Sequence, residues 1–201
     1  MSGAGRRAYQ SARVSRMAGR RVLIFWFLLV FFRAPISGAI AAELPVPFPA
    51  LEAETLLGRS VQLPGEFHHS VIWIVVGFTK DSQKATSICS EKLEQRFSGR
   101  GYSAAILQGA PFFIKGLIKN GIRASVPDAR RDRYLILNEG RTALEKIAGV
   151  DEESNDDAFV LGLRAQSPSG YEVVFVSHGD CGAAHFPSIE KKIVTLLDQK
   201  R

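Results

Sequence analysis

Val71-Ile-Trp-Ile-Val-Val-Gly-Phe-Thr79 is a run of β-branched and aromatic residues without polar alternation, and from Asp81 to Phe97 apolar residues then recur every three or four positions. A strand that is apolar on both faces needs a helical layer on each side, so the first segment is predicted to be the central strand of an α/β sheet. In the second segment Ala85, Ile88, Cys89, Leu93 and Phe97 make one buried face of a helix. Trp73, inside the strand, is expected in the core.

Downstream, Tyr102 to Leu107 reads as the next strand. Pro111 opens a helix from Phe112 to Asn120, which Gly121 is expected to end in the left-handed conformation. Strand, helix, strand implies a parallel pair with a right-handed crossover. Arg123 to Arg133 is polar, Tyr134 to Leu137 is a short extra strand, and Thr142 to Ala148 a short helix. Two apolar runs, Ala158 to Leu163 and Tyr171 to Val176, flank the turn Gln166-Ser-Pro-Ser-Gly170 and form a hairpin. A closing helix from Pro187 to Gln199 carries the stripe Ile189, Ile193, Leu196 and Leu197. Upstream, Val61 to Leu63 is a strand candidate turned by Pro64-Gly65. Residues 43–50 carry prolines at 45, 47 and 49 and read as an extended lead-in, with the domain spanning 51–201.

The chain has 201 residues, 46% of them hydrophobic and 23% charged, enough for one core and against disorder, collagen or coiled coil. Its net charge of +6 is concentrated at one end. Residues 1–42 hold seven arginines and no acid, which leaves 19 basic against 20 acidic side chains in the remainder. A near-neutral body excludes a polyanion binder, so no nucleic-acid partner is expected.

Arg20-Arg21, the eleven apolar residues Val22 to Phe32, and small residues around Ala39 and Ala41 follow the order of a cleavable signal peptide occupying 1–42. Eleven apolar residues are too few to cross roughly 30 Å of hydrocarbon. Cleavage before Ala42 or Glu43 and a secreted or periplasmic product are the expectation. The alternatives are an uncleaved membrane anchor over 22–42, a mitochondrial transit peptide, and a twin-arginine signal; Met17 is a second candidate start.

Taken together, the order of strands and helices resembles a thioredoxin-like domain from about Leu51 to Leu197: an α/β fold with a central mixed sheet, helices on both faces, and a C-terminal β-hairpin plus helix. The ending Tyr171-Glu-Val-Val-Phe-Val-Ser-His-Gly-Asp-Cys-Gly-Ala-Ala-His185 is similar to the close of thioredoxin-fold assembly factors for the membrane sector of F-type ATP synthase. It also resembles exported bacterial thioredoxin-like proteins. The resemblance implies a Cys-x-x-Cys pair at the start of the helix after the central strand, but Ser82 and Ala85 stand at those positions. A dithiol exchange needs two sulfurs there, so the chain is expected to be a redox-inactive binding or assembly accessory with an envelope protein as partner and no cofactor.

A second reading makes it an enzyme. Peroxiredoxins place Pro-x-x-x-Thr-x-x-Cys at the same junction, and Ser82-Gln-Lys-Ala-Thr86-Ser-Ile-Cys89 matches the threonine and the cysteine. This implies a one-cysteine thiol peroxidase in which Cys89 attacks peroxide, Thr86 orients it, and Arg123 or Arg133 holds the thiolate. Against it, Cys89 lies in register with the apolar helix face, where a cysteine serves as core packing. A disulfide to Cys181, the other cysteine of the chain, is favoured by export and opposed by that burial; the expectation is no intramolecular disulfide. His178, Cys181 and His185 are the densest set of metal-ligand types, with His68-His69 elsewhere, yet turn chemistry accounts for Gly179 to Gly182 and no metal is expected. The acidic run 151–157 and basic run 130–133 read as solvated loops, with a salt-bridged pair or a partner patch as the alternative.

Overall fold

The computed structural model describes residues 44–199 apart from 152, 155, 168 and 169. The expected signal segment and its cleavage site lie outside the described residues. Eight strands are described: β1 Val46–Pro47, β2 Leu51–Thr55, β3 Ser60–Leu63, β4 Val71–Gly77, β5 Gly101–Ile106, β6 Tyr134–Leu137, β7 Ala158–Ser167 and β8 Gly170–Gly179. Four helices accompany them: α1 Gln83–Arg96, α2 Phe112–Ser125, α3 Arg141–Ala148 and α4 Phe186–Asp198. The sheet order is β1-β8-β7-β4-β5-β6-β2-β3.

β4 is the central strand for the reason its sequence suggests. Val71 to Val76 are all buried, β5 runs parallel on one side, and β7 runs antiparallel on the other. Its side chains alternate between two cores. Trp73 and Val75 meet Cys89 and Leu93 of α1 and Ile189 and Ile193 of α4 on one face. Ile72, Ile74 and Val76 meet Leu144 and Ala148 of α3 on the other. Parallel β4-α1-β5 with the β7-β8 hairpin beside β4 and helices on both faces is the thioredoxin-like fold.

The departures from expectation lie at the edges. The lead-in is not outside the domain: Val46 and Pro47 pair with Val173 and Glu172, and Phe48 is buried. An edge strand tolerates proline because its outer hydrogen-bonding side needs no donor. β2 was not foreseen, although Leu51, Ala53 and Thr55 alternate inward. It pairs with both β3 and β6, so the N-terminal hairpin extends the sheet. α2 does not stop at Gly121. It runs to Ser125 because Ile122 packs against Leu56, Leu107 and Ile136, and tertiary burial outweighs the roughly 1 kcal/mol that a helical glycine costs.

The basic run also differs from a solvated loop. Residues Asp128–Arg133 form a 3-10 turn, and Arg133 reaches back to α1 with a bidentate pair on Glu94 at 3.0 Å for each contact. Arg131 pairs with Asp128 within the turn. Burial pushes the Glu94 carboxyl up, but the Arg133 hydrogen bond and the Gly99 N–H outweigh it and hold the group below its ordinary 4.5. A depressed carboxyl stabilises the fold above its unfolded value and loses that contribution as pH falls through the folded value. Glu94→Gln is therefore expected to lower stability at pH 7 and to flatten the loss of stability between about pH 5 and pH 3, as read by urea unfolding at a series of pH values. Parallel curves for the two proteins would refute this.

Candidate functional site

β4, β5 and β6 are parallel, so the loops that follow them emerge at one edge of the sheet, where α/β proteins place their ligands. At the end of β4 the backbone comes very close to α1. A Cβ on Gly77 would lie 2.5 Å from Ser82 Oγ and 2.7 Å from Thr86 Oγ1, so the first turn of α1 folds over the strand only because Gly77 has no side chain.

The hydroxyls of that turn are committed to the backbone. Ser82 is fully buried at the N-cap position; its Oγ donates to Thr79 O at 2.8 Å, and its N–H donates to Thr79 Oγ1 at 3.2 Å. Thr86 Oγ1 donates to Ser82 O at 2.8 Å. The Thr79 hydroxyl donates in turn to Asp156 at 2.8 Å. Ser82 stands where a dithiol would place its first sulfur, and the hydrogen bonds it makes shape the turn.

Cys89 and Cys181 are joined by a disulfide, their Cα atoms 5.1 Å apart. This corrects the expectation of no intramolecular bond. Burial of Cys89 does not oppose pairing, because both cysteines are fully buried in the same cluster. β8 ends beside the inner face of α1, and Cys181 turns back with φ 52°, the one non-glycine described with positive φ. Lys92 of α1 donates to the Cys181 carbonyl at 2.7 Å. Asp180 accepts the Gly182 N–H at 2.8 Å; that bond and the His185 ring hold its carboxyl below the ordinary value. A chain with a cysteine pair carries a two-electron couple, so the expectation of a redox-inactive protein is withdrawn.

The residues of the peroxidase reading are therefore dispersed. Thr86 lines a groove, while Cys89 is in the core within its disulfide. Arg123 donates to Leu56 O, and Arg133 to Glu94 and Gly101 O. The metal-ligand types do not converge either. His178 pairs with Asp157 at 2.9 Å and stacks on Phe159, His185 pairs with Asp180, and Cys181 is in the disulfide. Among the described residues no group of three or more His, Cys, Asp or Glu is placed to hold a metal. His68 and His69 precede β4, at the opposite edge of the sheet from His178.

The groove itself went unforeseen. It holds about 560 Å³, within the roughly 300–1,000 Å³ of small-ligand sites, and lies between the first turn of α1, the end of β5 and the inner side of α2. Phe78, Ile106, Leu107, Ile118 and Ile122 give it apolar walls. Tyr134 contributes to the lining, and burial pushes its hydroxyl up to about 12. Outside the groove α2 keeps three large apolar residues in solvent, Phe112 at 92%, Phe113 at 82% and Leu117 at 73% exposure. A sequence signal for this existed: Ile114, Ile118 and Ile122 make one apolar stripe, and Phe113 and Leu117 a second that a singly buried helix does not need.

These features define a thioredoxin-like α/β domain with Ser82 and Ala85 in place of the dithiol and a buried disulfide behind them. No protein-family profile matches the chain, and no curated protein sequence does. Solved structures similar to it include the exposed lipoprotein thioredoxin Etrx1 of Streptococcus pneumoniae, at 12% identity and TM-score 0.48, covering 72% of this chain and 99% of that one. The thiol peroxidase from Chromobacterium violaceum aligns at 14% and 0.48, covering 80% and 90%. BsSco, of the Sco family of cytochrome c oxidase assembly proteins, aligns at 14% and 0.47, covering 76% and 94%. Such likeness is one of fold alone, and the fold rests on the strand order given above. No described helix is long and apolar enough to cross a membrane.

Proposed function

We propose that the chain is an exported binding or assembly accessory of the cell envelope, which holds its partner in the groove at the carboxyl edge of β4 and β5. The observation that carries this reading is the pairing of that groove with Ser82 and Ala85 at the dithiol positions. A surface that ordinarily serves sulfur chemistry is here apolar, concave and free of cysteine. The exposed Phe112, Phe113 and Leu117 support it, since adjoining apolar side chains in solvent mark a contact surface. Export rests on the order of residues 20–42, and N-terminal sequencing of the processed chain is expected to give Ala42 or Glu43.

The groove is tested by filling it. Gly121 lines the groove and a Cβ there would meet nothing within 4 Å, so Gly121→Phe adds a ring without crowding the backbone. Immobilised wild-type domain is expected to retain a component of a solubilised envelope fraction that the Gly121→Phe domain does not, with both proteins equally folded by circular dichroism. Identical retained material for the two would remove the groove from the function.

A further inference from the structure

We infer that the groove accepts a small amphiphile with an apolar body and a carboxylate head, an acyl carboxylate, with the body between β5 and α2 and the head at the sheet edge. This rests on the groove being the working site and names the chemistry of what enters it. Two independent features of the lining lead here: one is the wall, the other is the distribution of charge.

The wall is apolar where it lies over the sheet. Ala105 and Ile106 come from β5, and Ile118 and Ile122 from α2, with no acidic residue anywhere in the lining. Burying an acyl chain there releases about 25 cal/mol for each Å² of apolar surface removed from water. An acyl chain gains this without leaving a polar group unpaired, whereas an extended backbone would bring amides that the wall offers few partners for.

The charge is all of one sign and all at one edge. The charged residues of the lining are Lys80 and Arg141, in the loop after β4 and at the start of α3, which follows β6. Parallel β4, β5 and β6 bring both to the same end of the sheet. Lys80 is exposed and has no ion pair among the described residues. Arg141 gives its Nε–H to Glu145 at 2.6 Å, and its terminal nitrogens make no hydrogen bond among the described residues. A guanidinium has five N–H donors, so those remaining suit a carboxylate. The raised Tyr134 hydroxyl fits a water-poor wall, and a neutral phenol there repels no anion.

The test uses the mature domain with its disulfide intact and decanoate, decanol and acetate as probes in calorimetric titration. Decanoate is expected to bind at one site, acetate not at all, and decanol about five-fold more weakly, the ratio that corresponds to the upper end of an exposed ion pair. Lys80→Glu, a surface change, is expected to weaken decanoate about ten-fold and leave decanol unchanged. Gly121→Phe is expected to abolish both, and Ile118→Ser to weaken both if the phenylalanine form proves misfolded. Absence of decanoate binding overturns the inference, as does equal affinity for decanoate and decanol with no effect of Lys80→Glu. If decanoate fails while Gly121→Phe still loses a polypeptide from the envelope fraction, the acyl carboxylate is wrong and the groove stands. If Gly121→Phe leaves both decanoate binding and retention unchanged, the groove falls with it.

Discussion

Replacing Cys89 and Cys181 together by alanine is expected to lower the unfolding free energy by about 4–5 kcal/mol, from the entropy restored to an unfolded chain whose crosslinked residues lie 92 apart. Domains of this size hold about 5–15 kcal/mol in total, so roughly a quarter or more of the stability rests on one bond. In urea the midpoint should fall by on the order of 2 M, with a somewhat steeper slope because the unfolded chain without the crosslink is less compact. The turn at Cys181 permits a finer comparison. With φ 52° it strains any residue with a Cβ, so Cys89→Ala with Cys181→Gly should lose about 1 kcal/mol less than the double alanine form. Because both sulfurs are fully buried, the native domain should resist reductant until it unfolds. A midpoint insensitive to both mutation and reductant would show that the link does not stabilise the fold.

Gly162→Ala is expected to destabilise by about 2–3 kcal/mol, where a glycine-to-alanine change in an ordinary strand would stabilise by about 0.5–1 kcal/mol. Gly162 faces Phe175 across the β7-β8 ladder, and the ring lies over the glycine. A Cβ there would come within 2.0 Å of Phe175 Cε1 and 2.4 Å of Cδ1. The ring would have to leave its place against the core that α1 and α4 share, and Lys192 would lose the ring face 5.7 Å from its Nζ. The double form Gly162→Ala with Phe175→Ala isolates the cause. If the clash is the origin, its loss is smaller than the sum of the two single losses by about 1 kcal/mol or more. Strict additivity would place the effect elsewhere.

The elements that read most clearly from sequence are those whose pattern is set by burial on a regular period. Val71 to Val76 had no polar position, which only a strand covered on both faces can use, and Ile189, Ile193 and Leu196 repeat at helical spacing on α4. From these the α/β class and the thioredoxin-like order followed, as did the absence of a dithiol, because Ser82 and Ala85 are covalent facts at a defined junction. What sequence could not carry were the outcomes that depend on which distant surfaces meet. β1 exists because β8 offers an edge to Val46 and Pro47, and α2 passes through Gly121 because Ile122 finds Leu56 and Ile136. The disulfide belongs with these. A buried register for Cys89 said that its sulfur was hidden and nothing about the neighbour it was hidden with, and only the end of β8 against α1 brought Cys181 to it. The groove arose in the same way, from the loops after three parallel strands gathered at one edge. Local periodicity determines which face of an element is buried, and tertiary packing alone decides what that face is buried against.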